Sequence, residues 1–148
     1  MRGFTLLELL IVIAILSIIG ALSIPFIQIF QTSTDLYTHA YSISKTLQRA
    51  QQQALAGKNS SSWGVFFDDP SKRLIMFSGE NFASRDQTYD LAINYPPSFV
   101  LSTDFGDEVY FAVYSGLPSV GGTITVANSN NQSQTVSVGD FGLIQIEL

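Results

Sequence analysis

The sequence predicts an α+β protein in which a long N-terminal helix packs on antiparallel β-sheet, and three observations carry that expectation. An apolar run from Phe4 to Ile24 holds a single charge, Glu8. Further on, Leu36, Ala40, Ile43, Leu47, Ala50 and Ala54 recur at alternating spacings of four and three, which puts them on one helical stripe. From Trp63 the period changes to that of strands.

The apolar run comes first. Roughly 20 apolar residues rising about 1.5 Å each match a hydrocarbon core of about 30 Å, so residues 4–24 are long enough to cross a bilayer. A lone carboxylate inside such a segment is costly, about 2.5–3.5 kcal/mol for an acid at the helix centre, and usually has a partner and a task. The helix itself supplies Glu8 with no cation. A secretory signal peptide is one reading, with Ile19-Gly20-Ala21 as its cleavage site, but Glu8 at the head of the apolar region and a single Arg2 before it fit that poorly. A plain signal anchor explains the hydrophobicity and leaves Glu8 and Gly3 without a role.

The third reading is a resemblance. Met1-Arg2-Gly3-Phe4-Thr5-Leu6-Leu7-Glu8 and the apolar residues after it resemble the class III leader of type IV pilins and type II secretion pseudopilins. In that family a prepilin peptidase cuts after the glycine and methylates the new N-terminal amine. The resemblance implies that residues 1–3 are a cleaved leader, that the cut falls between Gly3 and Phe4, and that Phe4 becomes the N-methylated terminus. It also makes Glu8 the assembly carboxylate, which pairs with the terminal amine of a neighbouring subunit as the helix leaves the lipid. An ion pair removed from water is far stronger than one in it, and an unpaired buried carboxylate is costly, so such a pair favours assembly and fixes register. The simpler alternative is that Glu8 complements the macrodipole at a helix N-terminus.

Residues 4–30 form the membrane or filament-core part of the helix on this reading. Pro25 lacks an N–H and clashes with the carbonyl of Ala21, so a kink is expected there, unless the helix ends at the membrane surface. Many pilins carry a proline at the corresponding point. Residues 31–57 form the amphipathic half, with Gly57 as its stop and with Tyr37 and Tyr41 placed to touch neighbours. Residues 58–148 form the β-rich domain, opened by a polar linker at 58–62. Trp63–Phe67 and Arg73–Phe77 flank Asp68-Asp69-Pro70-Ser71 as a hairpin. Residues 82–90 read as a loop. Further strands are expected at 91–95, 99–102 and 109–115, and those at 123–127, 134–138 and 143–148 read as an antiparallel meander.

Trp63-Gly64-Val65-Phe66-Phe67-Asp68, Ser115-Gly116-Leu117-Pro118 and Val138-Gly139-Asp140-Phe141-Gly142-Leu143-Ile144 resemble the H-type minor pseudopilins and the related T-type minor pilins. That resemblance implies a two-sheet sandwich under the helix, and a structural minor subunit of a secretion or pilus-like filament. The implied partners are the prepilin peptidase, other pilin-like subunits and the inner-membrane assembly platform. The implied location is the bacterial inner membrane, crossed once with the globular domain outside the cytoplasm, and then the filament.

Composition bounds the alternatives. With 148 residues the chain holds one modest domain besides the apolar segment. Twelve acidic residues against seven basic ones, and no Lys or Arg from Asp86 onward, disfavour nucleic acid as a partner. The absence of cysteine leaves stability to packing.

No catalytic group, cofactor or metal is expected. The single histidine, His39, reads as a solvated residue on the polar side of the helix with no second ligand beside it. No Gly-x-Ser-x-Gly elbow and no phosphate-cradling glycine pattern occur. Asp104, Asp107 and Glu108 offer oxygen ligands of the kind calcium takes, but without a loop signature, and a solvated turn fits them better. Two function classes remain: a processed filament subunit, and a membrane-anchored exported β-domain that binds a ligand or surface with its leader uncut.

Overall fold

The computed structural model describes residues 3–147, of which residues 22–33 are described by their helical backbone alone. One helix, α1, runs from Leu6 to Leu55. The chain divides into two compact units, one ending at Asp35 and one beginning at Leu36. In the second unit the C-terminal part of α1 covers two four-stranded antiparallel sheets. The first contains β1 (Trp63–Asp68), β2 (Arg73–Ser78), β3 (Asp86–Asn94) and β5 (Glu108–Phe111), in the order β3-β2-β1-β5. The second contains β4 (Phe99–Thr103), β6 (Gly122–Asn128), β7 (Ser133–Val138) and β8 (Ile144–Glu147), in the order β4-β6-β7-β8. The α+β class and the two-sheet sandwich under a helix are therefore as the sequence and its resemblance imply.

The predicted helical stripe is the core stripe. Leu36, Ala40, Ile43, Leu47, Ala50 and Ala54 are all buried, four of them completely. They meet Trp63, Val65 and Phe67 from the first sheet and Ile124, Val126 and Val136 from the second in one apolar cluster. Burying a Leu, Ile or Val side chain stabilises the fold by about 1.5–3 kcal/mol, so the stripe alone outweighs any single polar contact in the domain. The helix stops where glycine permits a left-handed turn. Gly57 has φ 61° and donates its N–H to the Ala54 carbonyl at 2.9 Å. The Tyr114 ring fills the space that a side chain at Gly57 would need.

Several sequence expectations are corrected. The stretch read as a loop at 82–90 contains the start of β3, which begins at Asp86. Its first residues are polar because β3 is an edge strand and they are solvent-exposed, so alternation gives no signal there. The strand expected at 109–115 ends at Phe111, because Tyr114 turns with φ 63° and gives its N–H to Ala54 on the helix. The linker at 58–62 contains a 3₁₀ turn at Lys58–Ser60, whose Lys58 carbonyl accepts the Trp63 indole N–H at 3.1 Å. The meander expected of the last three strands is present as β6-β7-β8, while β5 returns to pair with β1 and β4 pairs with β6.

His39 is also corrected. It is half-buried, and its ring packs 4.7 Å from that of Phe99 on β4. The helix is covered beyond its apolar stripe because the second sheet reaches round to this flank.

One polar network ties the two sheets together. The Asp69 carboxylate, in the β1–β2 turn, accepts the Tyr95 hydroxyl at 2.7 Å, the Leu101 N–H at 2.9 Å and the Lys72 ammonium at 3.0 Å. Lys72 also donates to the Phe99 carbonyl at 3.1 Å. Partial burial pushes the Asp69 carboxyl up, but the Leu101 N–H, the Tyr95 hydroxyl and Lys72 outweigh it and hold it below the usual carboxylate range. Burial and the bond to Asp69 push the Tyr95 hydroxyl well above the usual phenol range. A depressed carboxyl stabilises the fold at neutral pH, and that contribution is lost as pH falls through its folded-state value. Asp69→Ala should therefore destabilise the domain by about 1–2 kcal/mol, since it strips three donors of their acceptor. It should also flatten the acid limb of the stability profile, measured by chemical denaturation of the detergent-solubilised chain between neutral and acid pH.

Candidate functional site

The N-terminal segment is built from a local capping arrangement. Gly3, Phe4 and Thr5 precede the helix in non-helical conformation, and α1 opens at Leu6. Thr5 stands at the N-cap. Its carbonyl accepts the Leu9 N–H at 3.2 Å, and its hydroxyl accepts the Glu8 N–H at 3.3 Å. Thr5-Leu6-Leu7-Glu8 is thus the first half of a capping box, with Glu8 at the third helical position. The spacing of Thr5 and Glu8 carries this signal in the sequence, and the sequence reading overlooked it.

Glu8 lies in the first turn, where a carboxylate complements the helix dipole. It is exposed, and among the described residues it makes no ion pair. Nothing lies within 4 Å of where a side chain on Gly3 would project. The geometry brings Gly3, Phe4, Thr5 and Glu8 into one open segment at the helix start.

Beyond it the helix is apolar all round and uncovered. Phe4 is 81% exposed and Leu6 83%, and large apolar side chains stay exposed as far as Ile19. Ser17 does not break the pattern, because its hydroxyl donates to the Ile13 carbonyl at 2.8 Å and is satisfied within the helix. A helix of this kind requires lipid or protein around it. Among the described residues no helix is long and apolar enough to cross a membrane. The continuation of the run from Leu22 to Ile24, and the kink expected at Pro25, lie outside the described side chains.

The other candidate residues are dispersed. The Asp104 carboxylate accepts both the Thr123 N–H at 2.7 Å and the Thr123 hydroxyl at 2.9 Å, and these bonds hold it below the usual carboxylate range. Glu108 accepts the Phe82 N–H at 2.7 Å on the other sheet. Among the described residues no group of three His, Cys, Asp or Glu side chains could hold a metal ion.

Residues 1–24 match the family described as the prokaryotic N-terminal methylation motif. The fold is similar to that of the minor pseudopilin EpsH from the type II secretion system of Vibrio cholerae. The TM-score is 0.59 at 13% identity, over 76% of this chain and 96% of that one. The type IV minor pilin FimU of Pseudomonas aeruginosa gives a TM-score of 0.61 at 18% identity, over 76% of this chain and 93% of that one. The chain thus shares the N-terminal methylation motif with the one family and the fold with these two structures. No curated protein sequence matches it.

The Thr5 cap lies within the residues that match the methylation motif. Replacing Thr5 by Val should cost the helix start about 1 kcal/mol. Hydrogen exchange of the Glu8 amide in detergent should then be roughly fivefold faster, with the amides after Leu36 unchanged.

Proposed function

We propose that the chain is a structural subunit of a type II secretion or type IV pilus-like filament, assembled through its N-terminal helix. The observation that carries this reading is the uncovered apolar helix that begins at a methylation motif and continues into a pilin-type sandwich. Such a helix has two suitable environments, the bilayer before assembly and a bundle of like helices after it. Its role is mechanical, and no reaction is assigned to it.

On this reading the leader is held on the cytoplasmic side by Arg2, and the apolar segment crosses the inner membrane once. Prepilin peptidase cuts between Gly3 and Phe4 and methylates the Phe4 amine. The cut removes one of the seven basic residues and creates a cation at the helix start. Glu8 then pairs with the Phe4 amine of a neighbouring subunit. The exposed, unpaired carboxylate in the first turn supports this, since burial among apolar helices demands a cation for it. Pro25 loosens the helix between its two halves. The assembly platform and other pilin-like subunits complete the partner set.

Intact mass of the protein purified from its host membranes should show loss of Met1 to Gly3 and one added methyl group. An unprocessed N-terminus would instead favour the anchored binding domain. Glu8→Leu should leave membrane insertion intact while incorporation into filaments falls at least tenfold. Normal incorporation of that variant would remove the pairing step.

A further inference from the structure

Where α1 ends, two loops join it in presenting apolar side chains that the core does not use. Phe141 is 93% exposed and Tyr114 67%, and Leu55, Leu117 and Leu143 are exposed beside them. Stretches 115–118 and 138–144, singled out in the sequence, supply three of the five. Residues 51–57, 112–121 and 139–143 together hold a single charge, Asp140. Its carboxylate occupies the space that a side chain at Gly121 would take.

These residues are distant in sequence and tied together in space. The Gln51 side-chain amide donates to the Gly116 carbonyl at 3.1 Å and to the Gly142 carbonyl at 2.8 Å. Leu117 adjoins the first of these glycines, and Phe141 and Leu143 flank the second. The Leu55 side chain fills the space that a side chain at Gly116 would need, as the Tyr114 ring does at Gly57. Each loop is also closed on itself, with the Gly116 N–H on the Ala112 carbonyl and the Gly142 N–H on that of Gly139, both at 2.8 Å. The backbone that carries the patch is therefore fixed before any partner arrives, and docking has little freedom to remove.

The size of the patch selects its occupant. Phe141 and Tyr114 present on the order of 300 Å² between them, taking about 200 Å² per ring. With the three leucines added, the patch stands among the large exposed apolar surfaces that mark interaction sites. It remains below the roughly 800 Å² per partner of a stable interface. A protein arriving from solution gains too little contact there, whereas a chain already anchored alongside needs less, because tethering supplies its concentration. Position agrees with this. The domain begins at Leu36, roughly 28 Å from Leu55 along the helix at about 1.5 Å per residue, so the patch stands at the far end of the domain.

We infer that this patch is an axial docking site for the globular domain of a different chain carrying the same N-terminal motif, with Phe141 seated among apolar side chains of that partner. The inference rests on the filament reading, in which parallel helices place the end of one α1 against the next domain along the axis. A minor subunit has few copies of itself to meet, so the occupant is a non-identical chain. Exposed aromatic anchors carry most of the energy of such contacts, and the leucines around Phe141 keep water from it.

The full-length chain is expressed in its native host with p-benzoylphenylalanine in place of Phe141, of Leu143 or of Asn130, and intact cells are irradiated. All three positions are exposed, and Asn130 lies in the β6–β7 turn at the opposite end of the second sheet. Cross-linked peptides are sequenced by mass spectrometry. The probes at Phe141 and Leu143 should yield an adduct with the globular part of a different chain that carries a methylation motif, and the probe at Asn130 should not. Phe141→Asp should lower the Leu143 adduct at least tenfold, with thermal unfolding of the chain in detergent unchanged because the side chain is exposed. No adduct, an adduct with a second copy, with lipid or with a chain lacking the motif, or a yield indifferent to Phe141→Asp would each overturn the inference. Intact mass from the same cells separates the two readings. A cleaved, methylated N-terminus without the adduct defeats this contact and leaves the filament subunit standing, whereas an uncut N-terminus defeats the filament reading itself.

Discussion

The distance at which α1 can approach two sheets at once governs the domain. Ala40, Ala50 and Ala54 are completely buried, and their small side chains bring the helix backbone close to the sheets while Leu36, Ile43 and Leu47 fill the space between. A larger residue at an alanine position would lift the helix and open the core along its length. The end of the helix is held as firmly. The Gln51 side chain amide donates to the Gly116 carbonyl at 3.1 Å and the Gly142 carbonyl at 2.8 Å, which draws two loops from different sheets onto one turn of α1.

The first sheet is covered on its outer side as well. Phe82 stacks on Phe66 at 3.9 Å and meets Phe77 edge-on, while Arg85 caps the Phe82 ring at 3.6 Å and pairs with Asp90. This small second cluster explains why both faces of β2 are buried. The second sheet presents Ser102, Thr125, Thr135 and Ser137 outward, with the exposed Val100 among them.

Much of this was legible in the residues. The buried stripe from Leu36 to Ala54 follows from helical periodicity, and Gly57 from the need for a left-handed residue at the stop. The β1–β2 hairpin follows from its alternation and its proline-containing turn. What failed depends on distant partners. The Asp86 end of β3 is polar and is a strand only because β2 offers it a ladder. His39 is half-buried because Phe99, sixty residues later, folds against it. In the N-terminal segment, the resemblance drew attention to Glu8 and away from Thr5, although their spacing alone encodes the cap.

On the proposed filament reading, the Glu8 carboxylate makes an uncovered apolar helix addressable. Glu8 has no cation within its own described chain, and cleavage after Gly3 would make one at Phe4 of every subunit. The direct measurement is a density map of the assembled filament at side-chain resolution. The account predicts the Phe4 amine of one subunit within about 4 Å of the Glu8 carboxylate of its neighbour. A Glu8 carboxylate facing solvent, or bonded only within its own helix, would contradict it.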